Sequence, residues 1–497
     1  MSAMPEYVRQ EIDLDPEDWN EFSSVTHDAV DEIVTYLSTV RERPVWQPPP
    51  NDVIERLRSK LPENPSPLRN VFEQFKRDVL PYPTGNIHPR FWSWVSGTGN
   101  ATGVLADMLA AGMNSLNLGF DNSAPVRVEL QVLEWFRTLF GFPAETSGLF
   151  VSGGSMGNLV GLAVARTARA GYDVRKLGVN PPGQPRLVVY TSTEAHSSVQ
   201  KAVEIMGMGA DGLRHLPVNS DYQIDVDALH TQIHRDLNDG LKPIAIVASA
   251  GAVNTGALDP LNKLADIAQE HDLWLHVDGA FGALAAVVEE KPDDLVGLER
   301  ADSIAFDFHK WLHQTYNAGC VLIKNESAHR DTFTLNPSYL TKLDAGVAAG
   351  PINFSALGIQ LSRSFAALRV WMSIKTLGFG KFRKVIEQNI EQARYLNDLV
   401  ENNAKLELLA PTTLNIVNYR FNPGELSESQ LETLNQRLLV ALQVQGIAAP
   451  SSTQLKGKFS IRVSITNHRS RREDFDLLVR ESLRIGGELL TGINQDA

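Results

Sequence analysis

The chain opens on helical spacing. From Val25 onward, apolar residues fall at Val30, Ile33, Val34 and Leu37, the three-to-four-residue period of an amphipathic helix. Pro-Val-Trp-Gln-Pro-Pro-Pro (44–50) ends that unit, and two shorter helical runs follow around 51–60 and 67–80, before the turn Pro81–Gly85. An arm of this kind predicts packing or dimerisation rather than catalysis. From about 148 to 325 the pattern changes to short apolar runs. Leu-Val-Val-Tyr-Thr (187–191), Ile-Ala-Ile-Val-Ala-Ser (244–249), Leu-Trp-Leu-His-Val (273–277), Ser-Ile-Ala-Phe (303–306) and Cys-Val-Leu-Ile (320–323) predict buried strands. Helical patterns over 196–205 and 260–268 lie between several of them. Strand, helix, strand at this pitch predicts a mainly parallel sheet covered on both faces, whose ligands gather beyond the carboxyl ends of the strands. A long helical pattern over roughly 356–405 then leads to a smaller α/β unit that includes a strand at 458–465.

Composition narrows the function class. The 497 residues are 43% hydrophobic and carry 46 Lys+Arg against 59 Asp+Glu, a net charge of −13. Length suggests two to four packing units, and the acidic balance argues against a nucleic-acid partner, which needs a basic face. The single cysteine, Cys320, excludes an intrachain disulfide framework and an all-cysteine metal cluster. It fits a reducing compartment. The N-terminus is charged where a secretory signal would be apolar, and no run approaches the ~20 apolar residues of a membrane span. A cytoplasmic protein with no membrane partner is expected.

Four features with chemical potential fall at predicted strand ends or helix starts. Ser-Gly-Gly-Ser-Met-Gly-Asn (152–158) follows an apolar run and precedes a helical one, where backbone N–H groups and the helix dipole can receive an anion; a tight turn without a ligand is the competing reading. Asp278 ends the run 273–277 and is followed by Gly279, Ala280, Gly282 and Ala283, small enough for a flat ring to lie close. A carboxylate there needs a cation or donors, unless it merely caps the next segment. His309 and Lys310 follow the strand at 303–306, with Phe308, Trp311 and Leu312 predicting apolar surroundings that favour a free amine. His196 opens a helix after another strand; alone, it reads equally as a surface histidine. Together the four match what pyridoxal 5′-phosphate requires: a lysine for its aldehyde, an acid for its pyridine nitrogen, a phosphate cradle and a ring to stack. His309 and His313 have i, i+4 spacing but no HExxH-type acid between them, so no metal site is expected. Gly-Thr-Gly-Asn-Ala-Thr-Gly (97–103) follows no clear strand, which argues against a dinucleotide turn.

A family resemblance joins these features. His-Pro-Arg-Phe-Trp (88–92), Ser-Gly-Gly-Ser (152–155), Ala-His-Ser-Ser-Val (195–199), Asn-Thr-Gly-Ala-Leu-Asp-Pro (254–260), His-Val-Asp-Gly-Ala (276–280) and Asp-Phe-His-Lys-Trp-Leu (307–312) occur in the order found in the pyridoxal-phosphate group II amino acid decarboxylases, which include aromatic-L-amino-acid and glutamate decarboxylases. The segment 362–371 also resembles that family, and the likeness runs from about residue 10 to 485. It implies an α/β fold of the aspartate-aminotransferase type (fold type I): a mostly parallel seven-stranded sheet flanked by helices. An N-terminal helical arm (1–85), a large cofactor domain (86–380) and a small C-terminal α/β domain (381–497) follow from the same reading. The resemblance implies that Lys310 forms the internal aldimine, Asp278 pairs with the pyridinium nitrogen, His196 stacks on the ring and Ala280 lies against its other face. Gly153, Gly154, Ser155 and His309 resemble the phosphate shell, with Asp307 beside it. A homodimer with shared active sites is implied. Ala252 and Val253 stand where the family commonly has threonines, which removes a hydroxyl near the cofactor; Gly279 for the more usual alanine is a mild change.

For the reaction, Thr-Leu-Asn-Pro-Ser-Tyr-Leu (334–340) resembles the family's mobile loop, making Tyr339 the expected general acid that protonates Cα. Relatives that release an aldehyde often carry Phe there, so Tyr favours amine and CO2. Trp92 or Trp94 is a candidate wall for a bulky side chain. Phe120, across a subunit interface, is the candidate second wall, and an aromatic L-amino acid is the favoured substrate. Arg90 is shared with the glutamate-type pattern. Alternatives left open are an acidic or other amino acid, an aldehyde synthase or aminotransferase of the same fold, and a non-catalytic cofactor-binding protein. A cysteine desulfurase is poorly supported, because Cys320 sits in an apolar strand.

Overall fold

The computed structural model describes residues 13–496 apart from residue 425, with the side chains of Tyr339 and of residues 492–496 also outside the description. The chain divides into two compact units at Gly85/Asn86.

The first unit holds the helices Trp19–Ser38, Asn51–Arg56 and Leu68–Asp78. Asp18 starts the first by accepting from the N–H groups of Asn20 and Glu21, which satisfies donors the helix itself cannot. Asp78 is buried between Arg56 and Arg77, whose guanidinium groups hold its carboxyl far below the usual carboxylate range. The apolar stripe read from the sequence is formed, but Val30 and Val34 remain exposed along with Val71 and Val79.

Among the described residues, the strands all lie in the second unit. In chain order they are β1 (Phe91–Trp92), β2 (Ser147–Val151), β3 (Leu187–Ser192), β4 (Leu213–Leu216), β5 (Lys242–Ser249), β6 (Trp274–Asp278), β7 (Ser303–Asp307), β8 (Gly319–Ile323), β9 (Leu406–Leu408), β10 (Ile416–Phe421), β11 (Ala449–Leu455) and β12 (Lys458–Ser464). Seven form one sheet in the order β2-β8-β7-β6-β5-β3-β4. Only β8 runs against its neighbours, β2 and β7; the other four pairings are parallel. The strands are buried on both faces, so their apolar residues run continuously rather than alternating. The carboxyl ends of β2, β3, β6 and β7 therefore open onto one edge of the sheet.

Two expectations need correction. The helical pattern over 356–405 is two helices, Ala367–Leu377 and Phe379–Glu401, jointed at Gly378 with φ +72°. Upstream of them the chain turns, because Arg363 is drawn inward to a buried ion pair with Glu129. The second correction concerns Trp92. It lies in β1, which pairs in parallel with β11 and so joins the five-stranded sheet β1-β11-β12-β10-β9. There Trp92 is 1% exposed, stacks on Phe475 at 5.0 Å and donates to Ser470 Oγ at 3.1 Å. It is a core residue of that sheet and does not line the cofactor cavity described below.

Candidate active site

A cavity of about 640 Å³ opens at the shared edge of strand ends, within the range of small-molecule sites. Its lining brings together Gly153, Gly154, Ser155, His196, Asp278, Ala280, Asp307, His309, Lys310 and Trp94. These were the residues singled out from the sequence, apart from Trp92, Phe120 and Tyr339. Phe120 is half-buried and does not line this cavity. The Tyr339 backbone lies in the turn Ser338–Leu340, and its side chain is outside the described residues.

After β2 the chain enters the helix Gly154–Arg169, whose start at Gly153 has no side-chain cap. Its first N–H groups are thus left for an anion. Close packing demands the glycines: a Cβ on Gly154 would lie 2.9 Å from the Ala280 Cβ, and one on Gly319 only 2.5 Å from the Gly153 Cα.

Asp278 closes β6 and is 8% exposed. Its Oδ2 accepts from Asn158 Nδ2 at 2.8 Å and its Oδ1 from the Ala280 N–H at 3.2 Å. Among the described residues no cation lies within ion-pair distance of it. A buried carboxylate held only by neutral donors is costly unless a cationic ligand completes the site. Lys310, on the turn after β7, places Nζ 3.2 Å from Asp307 Oδ2. Phe308, Trp311 and Leu312 point into the core instead, so the lysine meets a carboxylate where the sequence predicted apolar walls. The other oxygen of Asp307, Oδ1, is buried without a hydrogen-bond partner.

His196 caps its helix: Nδ1 accepts from the Ser198 N–H at 3.2 Å, which assigns the proton of the neutral ring to Nε2. Burial pushes its pKa down, against the opposing pull of Asp278. His309 is likewise pushed down by burial, with Nδ1 held at the Ala318 main chain. His313 turns the other way, to Thr98 Oγ1 at 3.2 Å, so the two histidines do not share a ligand position.

Sequence reasoning missed three lining groups. Asn158 donates to both Asp278 and Ser198 Oγ (2.9 Å) and faces His276 Nε2 at 2.9 Å. Its signal was a polar residue on the glycine-rich inward face of a helix. Arg462, in β12, is 4% exposed, donates from Nε to Ser451 Oγ at 3.2 Å and from Nη1 to the Val253 carbonyl at 2.5 Å, and has no acidic partner among the described residues; burial brings its pKa down to about 10. An arginine inside the apolar run 458–465 was its signal. Tyr316 accepts from the Gly97 N–H at 2.8 Å and packs on His309 at 4.4 Å. Gly97 itself lies against the His309 carbonyl, where no Cβ fits, and Gly99 adopts a left-handed φ of +61°, so these two glycines have packing and turn reasons without a dinucleotide.

A doubly covered, mostly parallel sheet, with an uncompensated acid after one strand, a lysine after the next and an uncapped helix start beside them, defines a pyridoxal-phosphate enzyme of fold type I. Residues 50–422 match the pyridoxal-dependent decarboxylase conserved domain, and the chain belongs to that family. It is a pyridoxal-phosphate-dependent amino acid decarboxylase. The chain is 36% identical over 457 residues to an aromatic-L-amino-acid decarboxylase of Bacillus atrophaeus, covering 91% of this chain and 93% of the relative. It is 30% identical to a phenylacetaldehyde synthase of Petunia hybrida, covering 91% of each. Among solved structures, the Oryza sativa TDC with PLP and tryptamine superposes with a TM-score of 0.88 at 25% identity, covering 96% of this chain and all of that one.

Proposed function

We propose that the enzyme converts an aromatic L-amino acid to its amine and CO2, and that the site residues act as follows. Asp278, buried and lacking a cation, is the observation that carries the assignment: it holds a proton on the pyridine nitrogen of the cofactor. Lys310 presents its amine to the cofactor's aldehyde. The N–H groups and hydroxyl of Gly153, Gly154 and Ser155 hold the phosphate, with His309 and Asp307 beside them; His196 and Ala280 bracket the ring. Bound there, pyridoxal phosphate supplies an electron-withdrawing ring that takes up the electron pair left at Cα when CO2 departs. Tyr339 then delivers a proton to Cα. Arg462, buried and without an acid, holds the substrate carboxylate.

The substrate class follows from the remaining lining. Trp94, Val95, Met156 and Val253 are apolar, and the cations lining the cavity are Lys310 and Arg462. An acidic side chain would have no cation left to meet it. Arg90, shared with glutamate-type sequences, is spent on the Ile447 carbonyl at 2.7 Å and lies outside the lining. Assaying the common L-amino acids for stoichiometric amine and CO2 tests this reading. Turnover of aromatic acids is expected, and preference for glutamate or aspartate would overturn it. In the presence of O2 as oxidant, Tyr339→Phe should move product from amine toward aldehyde, ammonia and hydrogen peroxide, with O2 and water consumed; an unchanged ratio would remove Tyr339 from the mechanism.

A homodimer with Phe120 reaching the partner's site belongs to the same proposal. It is supported by the helix Ala101–Met113, which leaves Leu105, Met108, Leu109 and Met113 exposed on one face, an apolar stripe that a monomer rarely presents to water. Leu109→Glu should give a monomer by light scattering and lower activity; an intact dimer would reject that face. The division into a cofactor domain (86–380) and a small domain (381–497), and a cytoplasmic location, complete the reading. Among the described residues no helix is long and apolar enough to cross a membrane.

A further inference from the structure

Away from the cofactor cavity, three histidines meet on the outer layer of the large sheet. The helix Val226–Asn238 carries His230 and His234 four residues apart, so both side chains rise from one face. His271 follows the last residue of the helix Leu261–Glu270. The ring centroids are 4.6 Å apart for His230 and His234, 5.3 Å for His230 and His271, and 5.2 Å for His234 and His271. One ligating nitrogen from each ring lies within 4.8 Å of the other two. The His271 side chain is 9% exposed, and its Nε2 is buried with no hydrogen-bond partner. The Glu270 carboxylate places Oε2 3.6 Å from His230 Nε2 and Oε1 3.8 Å from His271 Nε2.

An orphaned imidazole nitrogen facing two more imidazoles and a carboxylate has no explanation in packing. It is the donor set of a tetrahedral transition-metal site. We propose that His230, His234 and His271, with Glu270 as fourth ligand, bind one divalent cation of the zinc class. Nitrogen donors select Zn2+, Ni2+, Co2+ or Cu2+ over Mg2+ and Ca2+, which prefer oxygen. Metal–nitrogen bonds of about 2.0–2.1 Å bring the nitrogens to about 3.3 Å from one another. Rotation of the exposed His234 and Glu270 side chains and of the half-buried His230 would bring the ligands to that spacing. None of the four residues lines the cofactor cavity. The cation ties together two helices that cover the sheet, and β6 starts three residues after His271 and ends at Asp278. Its effect falls on stability and leaves turnover unchanged.

The test uses holoenzyme freed of metal by a chelator and titrated with Zn2+ by calorimetry, with Tm followed in parallel. One Zn2+ per chain and a rise in Tm are expected, with no rise on adding Mg2+. Outer-shell partners of metal sites are already worth about 10–100-fold in affinity, so replacing a ligand should weaken binding by about tenfold or more. His234→Gln, at the exposed ligand, should lose the Tm rise while keeping decarboxylase activity. Zn2+ binding and Tm response unchanged in His234→Gln would overturn the proposal, as would failure of the unaltered enzyme to take up Zn2+. If His271→Gln does not fold, His234→Gln and His230→Gln decide the matter alone.

Discussion

Asn158 is the residue on which the polar interior turns. Trp274 Nε1 donates to Ser303 Oγ at 2.7 Å, and Ser303 Oγ meets His276 Nδ1 at 2.8 Å. His276 is fully buried and its pKa is pushed down to about 4 by desolvation, so it is neutral near pH 7. With the Ser303 hydroxyl donating to Nδ1, the ring proton sits on Nε2 and donates to Asn158 Oδ1. That orientation leaves the Asn158 amide N–H groups for Asp278 and Ser198, and through Ser198 for His196. The whole chain of donors has one direction, and it ends on the carboxylate that needs to stay ionised. Asn158→Ala removes that end and strands the buried His276 N–H, which costs about 1–3 kcal/mol. It should weaken pyridoxal phosphate binding by about tenfold or more, as loss of one charged-group hydrogen bond of about 1.5–3 kcal/mol implies. An absorbance titration with the cofactor and a urea melt measure the two effects. Cofactor affinity equal to that of the parent enzyme would show that the relay does not act on Asp278.

At the scale of elements, the site depends on how closely β2, β7 and β8 can approach. Gly319 begins β8, opposite both Val151 and Asp307. A Cβ there would meet the Gly153 Cα at 2.5 Å and Asp307 Oδ1 at 2.6 Å, and the first of these contacts is backbone that cannot rotate away. Gly319→Ala should therefore push the helix start at Gly153 away from the strand, lowering stability by about 1–3 kcal/mol and loosening the phosphate cradle. Gly380→Ala is the control: it sits on a helix with open space around it, where alanine gains about 0.5–1 kcal/mol. Equal melting temperatures for the two variants would reject the steric argument. The sequence disclosed the strands that lead to the site because parallel strands buried on both faces are continuous apolar runs. Asp278 and Lys310 were legible as charges at the ends of those runs. β4 was missed because Arg214 and His215 interrupt its apolar pair, Leu213 and Leu216, at the edge of the sheet. Trp92 was misassigned because its sheet partner, Pro450, lies far along the chain. The same separation hid Arg462 from the cavity and His271 from His230 and His234.

For the whole molecule, the buried titratable groups set how stability responds to acid. His276, His329 and His468 are each pushed down to about 4 by burial, from an ordinary value of about 6.5. Between those limits the unfolded chain binds protons that the folded one refuses, so each histidine contributes stability above about pH 6.5 that is lost as pH falls toward 4. Each is worth on the order of 3 kcal/mol. Asp259 acts with the opposite sign. Burial raises it to about 6, so the folded chain holds a proton that the unfolded one releases, and its contribution grows as pH falls from about 6 to about 4. Three histidines outweigh one aspartate of similar magnitude. The carboxylates held low by arginine, such as Asp236 beside Arg214, add to the histidines on acidification. The unfolding free energy of the holoenzyme should thus be on the order of 5 kcal/mol lower at about pH 5 than at about pH 7. Urea unfolding at the two pH values measures it. The three histidines also lie in different surroundings: His276 beneath Asn158, His329 between Ser147 and the Leu357 carbonyl, His468 on the Gly99 carbonyl. The loss is therefore spread through the second unit rather than triggered at one switch. His329→Gln, remote from the cavity lining, should flatten the pH dependence by roughly a third of the histidine part. A stability that held steady or rose on acidification would mean that the buried imidazoles are hydrated in the folded chain.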